Sequence, residues 1–210
     1  MDPNTVNRRK AILSRHSGDY KLAISLLDDE DAKVRGAALS SLEKLGKLSK
    51  KILEKYFYDP SPEVRKRAIE LLAKRPEEIP LNVLDDEDSL VVETACWAAG
   101  EKENPTQELI NQLCFIADSH SDQLCREAAV AALGSISSPL GLATVLEALK
   151  DKPAIRRRAV IALAAFDDPK VDEALKKSLN DRDWQVRQIA EDLLDASRVI
   201  SPVDIGPRPN

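Results

Sequence analysis

Apolar residues in this chain keep returning at three- and four-residue steps after short polar or proline-bearing breaks, the spacing of helices that bury one face. Residues 59–75 show the unit most plainly. Asp59-Pro60 interrupts what precedes, Ser61 is placed to accept a hydrogen bond from the first helical N–H groups, and Pro62 takes the first helical position, where a missing donor costs nothing. Val64, Arg67, Ala68, Leu71 and Leu72 then fall on one side of the predicted helix.

With the valine of this unit as position zero, equivalent sites are Asn7, Val34, Val64, Val91, Cys125, Ile155 and Val186, separated by 27, 30, 27, 34, 30 and 31 residues. Three residues earlier stand Asn4, Asp31, Ser61, Asp88, Asp122, Lys152 and Asp183, good N-caps in every copy except Lys152. One residue after position zero come Arg8, Arg35, Arg65, Val92, Arg126, Arg156 and Arg187; four after it, every copy has alanine, from Ala11 to Ala190. Five before it are Asp2, Asp29, Asp59, Asp86, His120, Lys150 and Asp181. Self-similarity with a period near thirty predicts a stack of helix pairs instead of one globular core.

The pattern predicts a half-repeat over 2–16, whose first helix is missing, and then six pairs: 20–27 with 32–45, 48–58 with 62–74, 77–84 with 89–101, 106–117 with 123–133, 140–149 with 153–165, and 170–179 with 184–196. Gly46 is a stop signal. Pro80 removes a donor and clashes one turn back, so 77–84 is expected to be short or distorted, and the helix from 106 the longest of the first helices. The repeat array is therefore assigned to 1–197, and 198–210, with three prolines and no helical period, to an extended or disordered tail.

The recurring Asp-Pro-x-Pro-x-Val-Arg-x-x-Ala-x-x-x-Leu, best seen from Asp59 to Leu72, resembles the HEAT family, and most of all the short phycobilisome-lyase HEAT-like repeats. The resemblance covers residues 2–197. It implies an all-α fold, a right-handed α-α superhelix of about six helix pairs plus the N-terminal half-repeat, with second helices lining a concave side. It also implies that the leading Asp and the Arg after position zero interact between neighbouring repeats, giving Asp29, Arg35, Asp59, Arg65, Asp181 and Arg187 structural roles.

Composition narrows the classes of function. Charged residues are 32% of the chain with both signs mixed, and the net charge of −5 argues against a general nucleic-acid binder. Without a membrane-length apolar run or the basic and apolar regions of a signal peptide, the expected location is cytoplasmic. Cys96, Cys114 and Cys125 lack CxxC spacing and an even count, so reduced, buried thiols are expected.

Enzyme signatures are absent: there is no Gly-rich phosphate loop, G-x-S-x-G elbow or metal-spaced Cys/His set. His16 and His120, the only histidines, are expected at exposed loops or helix ends. Deoxyhypusine hydroxylase is a HEAT-like enzyme whose second helices present His-Glu pairs to two irons; the corresponding places here, Glu93-Thr94 and Glu127-Ala128, have no histidine. The chain is thus expected to be no enzyme and to use no metal or cofactor, with an enzyme or enzyme accessory as a distant alternative. Three basic triplets, Arg8-Arg9-Lys10, Arg65-Lys66-Arg67 and Arg156-Arg157-Arg158, read as one ladder residue each with solvated neighbours, or as phosphate contacts of the kind found in HEAT-like alkylpurine glycosylases. Acids at Glu70, Glu93, Glu127, Asp192 and Asp195 interrupt that face and favour the first reading.

By phase, positions zero, four, seven and eight are buried, and positions two and six point away from the core. Position two gives Gly36, Lys66, Glu93, Glu127, Arg157 and Gln188; position six gives Ser40, Glu70, Trp97, Ala131, Ile161 and Asp192. The centre of the second row is apolar where a solvated face should be polar. Lys66, Glu70, Glu93, Trp97, Glu127, Ala131, Arg157 and Ile161 are accordingly the candidate partner-binding residues, an aromatic anchor within a charged rim. The competing expectation for Trp97 is packing onto the irregular third repeat. Trp184 is expected to cover the end of the stack. The function expected is a scaffold that binds a protein or peptide in its concave groove.

Overall fold

A computed structural model describes residues 3–200 of the chain. Two compact units divide it, Met1–Gln112 and Leu113–Asn210. Unit 1 contains α1 (Pro3–Ser17), α2 (Tyr20–Ser25), α3 (Ala32–Lys44), α4 (Lys50–Lys55), α5 (Pro62–Ala73) and α6 (Ser89–Gly100). Helix α7 (Gln107–Ser119) crosses the boundary, and unit 2 continues with α8 (Gln123–Ile136), α9 (Leu142–Ala148), α10 (Pro153–Leu163), α11 (Pro169–Ser178) and α12 (Trp184–Ile200). Short 3-10 turns occupy Tyr56–Tyr58, Leu81–Asp85 and Pro139–Gly141, and no strand occurs among the described residues. The half-repeat and the pairs stand where the apolar period puts them. Helix α12 runs to Ile200, past the predicted end; the rest of the expected tail lies outside the described residues.

Short turns bring α2 back against α3 and α4 against α5 in unit 1, and α9 against α10 and α11 against α12 in unit 2; the second helices stack in order, α1 on α3, α3 on α5 and α5 on α6 in unit 1, and α8 on α10 and α10 on α12 in unit 2. Positions four and eight fill the interior, with every position-four alanine buried to 0%. Position five, which the phase argument left out, is as deeply buried: Leu39, Ile69, Cys96, Val130 and Val160 are closed to solvent. In α12 that position is Glu191, and it is exposed. At the α8–α10 contact, a Cβ built on Gly134 would stand 2.7 Å from Ala162 Cβ, so the absence of a side chain sets the helix spacing. Gly46 ends α3 at φ +64, the left-handed conformation expected of its stop signal.

The third pair departs furthest from the plan. Residues 77–84 form no α-helix; Pro80 is extended and only Leu81–Asp85 coil as a 3-10 turn, while Ile79, Val83 and Leu84 still reach the core. Side chains replace the missing helical framework. Lys102 Nζ donates to the carbonyls of Leu72 at 2.8 Å and Arg75 at 2.7 Å, closing the end of α5. Burial holds the Lys102 pKa below that of an ordinary lysine, with Glu77 opposing the shift.

A ladder of arginines ties successive turns together. Arg35 grips Asp59 and Arg65 grips Asp86 in unit 1; Arg126 grips Asp151 and Arg156 grips Asp181 in unit 2, each through Nε and Nη2 to both carboxylate oxygens at 2.6–3.1 Å. Nη1 of each donates to a carbonyl of its own leading turn. The rung aspartates in turn accept backbone N–H groups, as Asp59 does from Ser61 at 2.9 Å. Paired forks of this kind are strong and directional. Those hydrogen bonds hold the Asp151 and Asp181 carboxyls below the usual carboxylate range.

The ladder corrects several expectations. Asp151 serves in the turn where Lys150 was aligned, a shift of one residue. His120, in the turn after α7, takes the place of a leading acid, its Nδ1 accepting the N–H of Asp122 at 3.1 Å. Asp29 receives Asn7 Nδ2 in place of an arginine. Asp31, Asp88, Asp122 and Asp183 cap their helices through side chains, but Ser61 makes no such bond.

Candidate partner-binding surface

In unit 1, α5 packs on α6, and the outward rows of both helices carry Lys66, Glu70, Glu93 and Trp97. Trp97 is 42% exposed, so it does not fold down onto the irregular third repeat. The irregular segment fills its own space with Ile79, Val83 and Leu84. Glu93 lies one helical turn before Trp97 on α6, and neither Glu93 nor Lys66 forms an ion pair with a described residue. Glu70 is held by Arg67 at 2.7 Å, and Arg67 Nε also donates to Ser40 at 2.8 Å.

The residues of unit 2 form their own patch. Ile161 is 48% exposed on α10, and Ala131 on α8 lines the same open cleft of about 390 Å³, together with Gly134, Ser135, Arg158, Ala162, Ala164 and Ala165. Small side chains make the floor because α8 and α10 approach closely at Gly134. Glu127 accepts from Arg158 at 3.3 Å, and Arg157 pairs with Asp183 at 2.7 Å, which holds the Asp183 carboxyl below its ordinary pKa. Gly134, Ser135 and Arg158 were not among the predicted site residues. A glycine within an otherwise helical apolar run was the available signal for the close approach.

The second and third basic triplets each hold one ladder arginine, Arg65 and Arg156, as expected, and their neighbours stay partly exposed. Arg67, Arg157 and Arg158 are each engaged by a carboxylate, whereas Arg8, Arg9 and Lys10 on α1 stand exposed. Trp184 opens α12 at 65% exposure and does not shield the end of unit 2 as expected. Arg187 donates to the carbonyls of Asp181 and Arg182 and grips no carboxylate among the described residues, so it is not a rung.

Thr94, beside Glu93, is buried and donates to the Leu90 carbonyl at 2.7 Å. Among the described residues no group of three or more His, Cys, Asp or Glu is placed to hold a metal ion. His16 is exposed near the end of α1. Cys96 and Cys125 are buried; Cys114 is half-buried, and burial pushes its thiol pKa up. No described helix is long and apolar enough to cross a membrane.

Residues 110–195 match a family model described as HEAT repeats, and residues 50–72 match one described as a HEAT repeat associated with sister chromatid cohesion. No curated protein matches the sequence. A designed armadillo repeat protein solved with the peptide (KR)4 is similar in structure, with a TM-score of 0.60 and 20% identity over 85% of this chain and 99% of its own. The Escherichia coli protein YibA gives 0.63 with 18% identity over 94% and 76% of the two chains. Human deoxyhypusine hydroxylase gives 0.50 with 19% identity over 94% and 81%. In fold, this chain is an all-α repeat solenoid of the HEAT and armadillo-like kind.

Proposed function

We propose that this protein is a non-catalytic scaffold that binds a protein or peptide on the outward face of its second helices. The observation that carries this reading is Trp97, an exposed indole on the outward face of α6, one turn after Glu93, which pairs with no cation among the described residues. Such a side chain offers a large contact area at little cost in conformational freedom. The exposed Ile161 and the small-residue floor of unit 2 add a second apolar patch. We assign the repeats to the phycobilisome-lyase HEAT-like type on their period and their Asp-Pro-x-Pro lead, and place the protein in the cytoplasm on its odd cysteine count and spacing. The engagement of Arg67, Arg157 and Arg158 by carboxylates supports a protein partner over nucleic-acid phosphate.

Titration with a displayed peptide library, with (KR)4 as the first defined probe, tests the reading. Trp97→Ala is expected to weaken the selected peptide by about tenfold, ~1.4 kcal/mol. The melting temperature should move by no more than about 2 °C. A comparable loss of stability, or unchanged affinity, would remove Trp97 from the binding surface. Binding of a nucleic acid with a steep salt dependence would replace this reading with the alternative one.

A further inference from the structure

Five arginines follow position zero in α3, α5, α8, α10 and α12, and four of them are filled forks. Arg187, the fifth, keeps half of that geometry. Its Nη1 donates to the Asp181 carbonyl at 2.7 Å and the Arg182 carbonyl at 3.2 Å, as the other forks hold their own leading turns. Its Nε and Nη2, the atoms that hold an aspartate in every other fork, meet no carboxylate among the described residues. One helical turn earlier on the same helix stands Trp184, 65% exposed.

The filled forks define what fits there. Asp59, Asp86 and Asp181 each reach an arginine while accepting the N–H two residues on, at 2.9, 2.9 and 2.7 Å. The ligand of this fork is thus an aspartate that opens a turn, not a carboxylate in any setting. Position five of α12 also limits the occupant. Glu191 is exposed where α3, α5, α6, α8 and α10 bury Leu39, Ile69, Cys96, Val130 or Val160, so the surface beside Arg187 suits a polar, surface-exposed turn more than an apolar helix face.

We propose that Arg187 and Trp184 form a docking point for an aspartate-led turn of a partner protein. The carboxylate sits bidentately on Nε and Nη2, and the residues beside it lie on the indole. This proposal does not depend on Trp97.

The probe is a blocked peptide, Tyr-Asp-Pro-Ser-Pro-Glu, the sequence of residues 58–63. It is added to the full chain carrying Trp97→Phe, which leaves Trp184 the only tryptophan. A saturable change in Trp184 fluorescence and a shift of the Arg187 Nε–H resonance are expected. Replacing the peptide aspartate by asparagine, or Arg187→Lys in the protein, should each weaken binding roughly tenfold, since lysine keeps the charge but not the fork. Absence of saturable binding, or equal binding by the asparagine peptide or by the lysine variant, would overturn the proposal. Self-association of the chain that Arg187→Gln abolishes and the peptide does not compete would give the fork to a second copy and overturn it as well. Trp97→Ala should leave peptide binding here unchanged, so failure of the Trp97 surface is read separately.

Discussion

Units 1 and 2 carry the same two-rung ladder on differently regular frames. In unit 1 the rung from Arg65 to Asp86 spans a pair whose first helix has collapsed to a 3-10 turn, and Lys102 must close α5 by donating to its last carbonyls. In unit 2 the rung from Arg156 to Asp181 spans two ordinary helices, α10 and α11, and close helix contact at Gly134 does more of the packing. The second helices stay stacked where a first helix is lost, and the rung and the position-four alanine are both kept there. A first helix mainly contributes apolar anchors, and Ile79, Val83 and Leu84 supply them without α-helical geometry.

Breaking a rung should have the largest effect in both units. Arg65→Met and Arg156→Met each leave a mostly buried aspartate without its partner, and each should cost about 3 kcal/mol in urea unfolding. If the irregular pair leans harder on its rung, Arg65→Met will cost more. Acid sharpens the test in unit 2. Because the folded Asp181 pKa lies below its unfolded value, the rung's contribution is present above about pH 4 and is lost as pH falls through the lower, folded value. Arg156→Met should flatten that part of the stability–pH profile.

The two units should answer a glycine-to-alanine change with opposite signs. Gly134→Ala drives a methyl into Ala162 and should destabilise by about 2 kcal/mol. Gly36→Ala in α3 meets nothing within 4 Å and should stabilise by roughly 0.5–1 kcal/mol, measured by thermal melting. Lys102→Met has no counterpart in unit 2. It removes the donors that close α5 and should cost about 1 kcal/mol, with faster amide exchange confined to the segment after α5.

The number of repeats, the position of each second helix and, position five apart, its buried face were legible in the sequence, because a repeat writes its period many times and a helix buries whatever recurs at three and four residues. Trp97 and Ile161 were legible for the same reason, as apolar residues at a phase that points outward. Tertiary structure alone decided the rest. Lys150 could be recognised as out of register with Asp151 only once Arg126 had found its partner, since a bidentate fork selects a place in space and not a place in an alignment. It likewise decided that Arg67, Arg157 and Arg158 are engaged, that Trp184 stands open, and that Arg187 meets no carboxylate among the described residues. Local sequence sets which face of a helix is apolar; which charges meet depends on the distance between turns more than twenty residues apart, and only the packed helices set that distance.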